Sequence, residues 1–181
     1  MHSNLPELIH PWHDFYLLVG TASATLVGLM FVAASIGAQV FKEENRAAIQ
    51  AFISPTVVHF STVLFACILA TIPEQTGVAF VILLSAVGLT GFAYSARVWA
   101  QLFVRRKFSV DMVDRLFYAL IPGVGHLLIL LSAAALLTRP ELGLDCLAAA
   151  LITLLLAGVR NAWDMMMWIV IKAPVSGSGQ D

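Results

Sequence analysis

Five long apolar runs dominate this chain, and they leave it few ways to fold. A helix needs about 20 mostly apolar residues to cross roughly 30 Å of hydrocarbon. Phe15–Phe41, Phe52–Ile72, Gly77–Phe103, Leu116–Leu137 and Leu144–Ile171 all meet that requirement. None alternates polar and apolar residues as the strands of a membrane barrel do. The predicted fold class is therefore all-α, a polytopic membrane bundle of five transmembrane helices. It forms one domain over residues 1–172, and residues 173–181 read as a disordered tail. Composition agrees: 60% of the residues are hydrophobic, only 12% are charged, and mean hydropathy is +0.88. Soluble domains carry about 25% charge, enough to coat a surface in water. A net charge of -1 supplies no basic field to attract phosphate, so nucleic acid is not an expected partner. The lipid bilayer is.

The connections are short and polar: Lys42–Gln50, Pro73–Gln75, Val104–Arg115 and Thr138–Gly143. The first run lacks a basic leader and is too long for a signal peptide, so it reads as a retained helix. Cationic residues set the orientation. With five crossings, Lys42, Arg46, Arg97, Arg105, Arg106, Lys107, Arg115, Arg160 and Lys172 share one side, and Arg139 has the other. The expected N-terminus is outside and the C-terminus cytoplasmic.

The chain also repeats itself. Pro55–Glu74 aligned with Pro122–Glu141, without gaps, gives nine identities in 20 positions. Composition alone accounts for about two or three in such apolar segments. Among the nine are Pro55/Pro122, His59/His126 and Pro73-Glu74/Pro140-Glu141, which are not bulk membrane residues. The preceding helices match more faintly, with Ser23-Ala24 against Ser85-Ala86 and Ala34 against Ala96. Helices one and two thus read as a hairpin, and helices three and four as its copy in the same orientation. The fifth helix stands outside the duplication.

In lipid, helices approach one another through small residues. Gly20, Ala24 and Gly28 recur every four residues along helix one, and Gly88, Gly91 and Ser95 do similar work in helix three. The first stripe serves either packing within the chain or a seam with a second copy or a membrane-protein partner.

His59 and His126 are the sharpest candidates for function. Each follows a proline by four residues, so Pro and His share a helix face. Ionisable residues inside a membrane are functional candidates by default. Three readings are open. Each imidazole is neutral and bonded to a neighbouring Thr, Ser or carbonyl; the pair lines a proton or ion path; or the two nitrogens ligate a haem iron or another metal. Arg160, Asn161 and Asp164 form a second polar cluster, either inside the bilayer, where His126 or Arg97 joins it, or at the interface. His10, His13 and Asp14 make a poor metal signature. Trp12 reads as an interfacial anchor and Asp14 as a helix cap. Cys67 and Cys146 read as small packing residues rather than a disulfide. No P-loop, Gly-x-Ser-x-Gly elbow or HExxH pair is present, and an enzyme is not expected. No cofactor is assigned, haem at the histidine pair being the one weighed.

Trp12-His13-Asp14-Phe15-Tyr16, followed by Leu18–Leu26 and Gly28–Ala33, resembles the opening of a family of small bacterial integral membrane proteins of uncharacterised activity. Some of these carry the label "modulator of FtsH protease". The resemblance covers the first helix and implies a bacterial inner membrane; it brings no catalytic residues. The leading expectation is a multi-pass inner-membrane protein, a small pore or transporter-like unit with an intramembrane histidine pair. The alternatives are a haem-binding redox protein with His59 and His126 as axial ligands, and an accessory or regulatory membrane subunit.

Overall fold

The computed structural model describes residues 5–40, 46–103 and 116–172, and among these all regular structure is helical. A short α1 (Leu5–Ile9) and a 3-10 turn (His10–Trp12) lead into α2 (His13–Val40). Then come α3 (Arg46–Thr71), α4 (Gly77–Phe103), α5 (Ile121–Leu136) and α6 (Pro140–Lys172). The basic residues of Val104–Arg115, the Lys42 side chain and the tail from 173 onward lie outside the described residues.

Four described segments are long and apolar enough to cross a membrane: Glu7–Ser35, Gly77–Ala100, Leu116–Leu136 and Pro140–Met167. In α3 the described apolar part, Pro55–Thr71, is shorter. The outer surface has the chemistry of a lipid contact. Leu18, Phe31, Val78, Leu137 and Trp163 stand exposed, which water would penalise at about 25 cal/mol for each Å² of apolar area. Hydroxyls on the same helices bond carbonyls of their own helix one turn back. Thr25 bonds Thr21, Ser35 bonds Phe31, Thr62 bonds Val58, Ser85 bonds Val81, and Thr153 bonds Ala149. A side chain satisfied in this way needs no water.

The helices pack as two neighbouring pairs, α2 with α3 and α4 with α5, and α6 fills the groove between them against α5, α3 and α2. The main core runs through Tyr16, Val63, Phe80, Leu84, Ile129, Leu147, Leu151 and Leu154. A smaller cluster gathers Met30, Phe60 and Met165. Glycines set the closest approaches. A Cβ added at Gly158 of α6 would stand 2.9 Å from Cζ of Phe60, whose ring is fully buried, and one at Gly125 of α5 would stand 2.7 Å from Leu154.

The small-residue stripe of α2 divides. Gly20 is buried against Cys67, whose Cβ a methyl there would meet at 3.0 Å. Ala24 and Gly28 are exposed, and a Cβ at Gly28 would meet nothing within 4 Å. Cys67 is buried, Cys146 is half-buried, and both are free thiols.

The turn Pro73–Gln75 holds Glu74 at φ 55°, a left-handed conformation that a side chain rarely adopts. The hydroxyl of Thr76 then accepts the Ala79 N–H at 3.3 Å as α4 begins. One feature departs from a straight fourth membrane helix. Leu116–Leu120 forms a π-helical turn before α5, which begins one residue ahead of Pro122. A proline cannot donate to the preceding turn, so placing it in the first turn of α5 avoids a broken ladder, and the widened turn absorbs the mismatch.

Gly158→Ala should lower stability by about 1–3 kcal/mol through overpacking against Phe60. Gly28→Ala should stay within about 0.5 kcal/mol of wild type. Thermal unfolding in detergent, followed by helical circular dichroism, reads both.

Candidate functional site

Among the described residues, seven polar side chains are buried in this apolar bundle: Ser23, Thr56, His59, Ser95, His126, Ser132 and Asn161; the hydroxyl of fully buried Tyr16 has no partner. A polar group removed from water costs roughly 1–3 kcal/mol unless it finds a partner, so the fate of each one matters. Ser23 donates to the Phe60 carbonyl at 2.6 Å and Ser132 to the Gly143 carbonyl at 2.7 Å. Each ties two helices together. Asn161 donates through Nδ2 to the Phe117 carbonyl at 3.1 Å, while Tyr118 donates through its hydroxyl to the Asn161 carbonyl at 3.2 Å. This reciprocal clasp fastens the π-helical turn to α6.

The two histidines stand apart from that pattern. His59 on α3 is 1% exposed and His126 on α5 is fully buried. Their ring centroids lie 5.6 Å apart with an interplanar angle of 52°. His126 is held firmly. Its Nδ1 lies 2.8 Å from the Pro122 carbonyl and 3.1 Å from Ser95 Oγ. A carbonyl oxygen only accepts, so Nδ1 carries the proton and Nε2 is left with a bare lone pair. The ring also presses on the backbone of α4, where a Cβ at Gly91 would overlap its Cδ2 and Nε2. Gly91 and Ser95, one turn apart on α4, therefore make the slot that His126 occupies.

His126 Nε2 has no hydrogen-bond partner, and neither ring nitrogen of His59 has one. A neutral imidazole has one N–H and one lone pair. The two rings thus hold one unpaired donor and two unpaired lone pairs, one lone pair on each ring, and the buried Tyr16 hydroxyl and Asn161 Oδ1 are unpartnered as well. The difference between the rings has a local cause. The offset of 62 residues that aligns Ala34 with Ala96 sets Leu29 and Ala33 of α2 opposite Gly91 and Ser95 of α4. Leu29 is exposed, and Ala33 has no hydroxyl to match that of Ser95.

The other predicted site residues separate from this centre. Arg160 pairs with Asp164 one turn on along α6, and its guanidinium lies 5.6 Å from the Phe117 ring centroid. Both side chains remain partly exposed, at 40% and 27%. Arg97 is exposed on α4. The contacts of His126 are with Gly91, Ser95, Pro122 and His59, so it does not join the Arg160–Asp164 pair. Asn161 lies inward of that pair and is fully buried, with Oδ1 unpartnered. His10, His13 and Asp14 are exposed, and Trp12 packs on Phe15 and Tyr16 at 5.8 and 6.4 Å between centroids.

Beside the pair, on the outer side of α4 and α5, lies an apolar groove of about 300 Å³ lined by Phe92, Ser95, Trp99, Leu120 and Leu127 among others. Tyr118 as a clasp, and Gly125 and Gly158 as close approaches, were not legible in the sequence. Gly91 and Ser95 were, but only as packing residues.

No protein-family model matches this chain, and no curated protein or solved structure matches it either.

Ser95→Ala should leave the Nδ1-protonated tautomer of His126 in place, because the Pro122 carbonyl remains. Gly91→Ala should push the ring off that carbonyl and change the tautomer signal. Nitrogen-15 NMR of histidine-labelled protein distinguishes the two outcomes.

Proposed function

We propose that this chain is a non-enzymatic multi-pass membrane protein of the bacterial inner membrane. In this reading it crosses five times, with the N-terminus outside, and arises from a duplicated hairpin. Its working centre is the His59–His126 pair, and it acts as a small transporter-like unit for a cation, the proton being the simplest. A single observation carries the reading: two buried imidazoles face each other with three of their four nitrogens unpartnered. Most buried polar groups are bonded, as Ser23, Ser132 and the Asn161 amide nitrogen are; the Tyr16 hydroxyl and Asn161 Oδ1 are single unpartnered atoms, whereas the histidines bring three together. Imidazole accepts and releases a proton near neutral pH, so lone pairs held ready in a low-dielectric core are suited to passing a cation on. Asn161 lies on the side of the exposed Arg160–Asp164 pair, which with Arg97 would stand at the cytoplasmic mouth.

Haem ligation draws less support from the same geometry. A macrocycle would have to enter between rings whose centroids are 5.6 Å apart, of which neither is open to the surface. Gly91 closes one side of His126. An accessory role in docking another membrane helix draws support from a different place, the exposed Ala24 and the open space over Gly28.

Purified protein in liposomes containing a pH-sensitive dye should dissipate an imposed proton gradient faster than protein-free liposomes. His126→Gln should return the rate to the protein-free level while the protein keeps its helical spectrum. Equal rates for wild type and empty liposomes would contradict the reading.

A further inference from the structure

We propose that His59 and His126 together bind one soft monovalent cation, Cu(I) or its analogue Ag(I), as a two-coordinate bis-imidazole site. The inference rests on the pair being the working centre of the protein, and not on passage of an ion across the membrane.

The first support is the orientation of His126. A metal-ligating histidine characteristically donates its second ring nitrogen to a carbonyl or carboxylate, which fixes the tautomer and aims the lone pair. His126 does this through Nδ1 to the Pro122 carbonyl at 2.8 Å, leaving Nε2 bare and unpartnered. The ring has little freedom to turn away, since Gly91 and Ser95 enclose it.

The second support is His59. Both its nitrogens are unpartnered although its side chain is almost fully buried, and its ring faces that of His126 at 5.6 Å between centroids. Bonds from a metal to imidazole nitrogen are about 2.0–2.1 Å long. Such bonds place a metal about 3.2 Å from each ring centroid, so an ion held linearly between the two rings needs them to part by about 0.8 Å from the 5.6 Å seen here.

The surroundings select the kind of ion. Among the described residues, no group of three or more His, Cys, Asp or Glu is placed to share a metal. No described carboxylate is buried either, and the least exposed, Asp164, is engaged by Arg160. Zinc fills a tetrahedron, and Cu(II) and Ni(II) prefer tetragonal sets of nitrogen and oxygen. Two neutral nitrogens satisfy none of these. The cost of placing an ion in a low-dielectric core grows with the square of its charge, so a divalent ion without a counter-charge is penalised about four times as heavily as a monovalent one. Closed-shell monovalent ions of the copper group accept two ligands, carry one charge, and bind imidazole.

The test uses the full-length protein in detergent under anaerobic, reducing conditions. It is titrated with Ag(I) or Cu(I) against a chromogenic chelator. The inference expects one tightly held ion per chain, weakened about tenfold or more, equivalent to about 1.4 kcal/mol, in His59→Gln and in His126→Gln. The double variant Cys67→Ser, Cys146→Ser should bind as wild type does. X-ray absorption of wild-type protein loaded with Cu(I) should show two nitrogen neighbours and no sulfur. This second measurement stands even where a histidine variant fails to fold. Absence of a bound ion, retention of the ion in both histidine variants, or sulfur from Cys67, Met30 or Met165 in the first shell would overturn the inference. Proton flux without ion binding overturns it while leaving the transport reading intact. Ion binding without flux supports it and removes the transport reading.

Discussion

An apolar bundle has no water to offer its interior, so every polar group buried there must be answered by another part of the chain. The molecule obeys this constraint almost throughout. Lipid-facing hydroxyls bond their own helix, as Thr25 and Thr153 do. Ser23 and Ser132 bond carbonyls across helix interfaces. Asn161 and Tyr118 answer each other's elements at the base of α5. Among the described residues five buried polar atoms have no partner: the Tyr16 hydroxyl, Oδ1 of Asn161 and three imidazole nitrogens, the last gathered where the rings of His59 and His126 meet. An unpaired polar atom in such a core costs roughly 1–3 kcal/mol.

The two histidines sit in unlike surroundings although each follows a proline by four residues. Pro55 and Pro122 are both buried, each one helical turn before its histidine. Only the second histidine meets Gly91 and Ser95, which give it room and a hydroxyl. Among the described residues no such glycine slot or bonded hydroxyl is found beside His59. One ring is therefore fixed and the other free of polar tethers.

Much of the scaffold was legible in the sequence because membrane helices announce themselves by length and apolarity. The predicted third run, Gly77–Phe103, has the same bounds as α4, and Pro73–Gln75 forms the expected turn. The spacing of proline and histidine in both hairpins drew attention to the residues that end up facing each other. Other features depend on three-dimensional fit, which a pattern of apolar residues does not encode. The π-helical turn at Leu116–Leu120 follows from how Pro122 and the clasp with Asn161 settle together. The glycines that set the tightest approaches, Gly125 and Gly158, sit without a repeat on long apolar helices. The regular stripe of Gly20, Ala24 and Gly28 instead divides after its first member, because α2 turns only Gly20 toward Cys67. Arg160 and Asp164 found each other at helical spacing, but α6 directs them outward, away from the histidines.

The central claim is that two buried imidazoles face each other in the membrane. Solid-state NMR of protein in lipid bilayers, labelled with carbon-13 and nitrogen-15 only at histidine, tests it directly. The structure predicts a through-space cross-peak between the two rings that persists in deuterated water and vanishes when either His59 or His126 is replaced. Two intramembrane histidine signals with no cross-peak between them, or ring nitrogens that exchange freely with solvent, would contradict it.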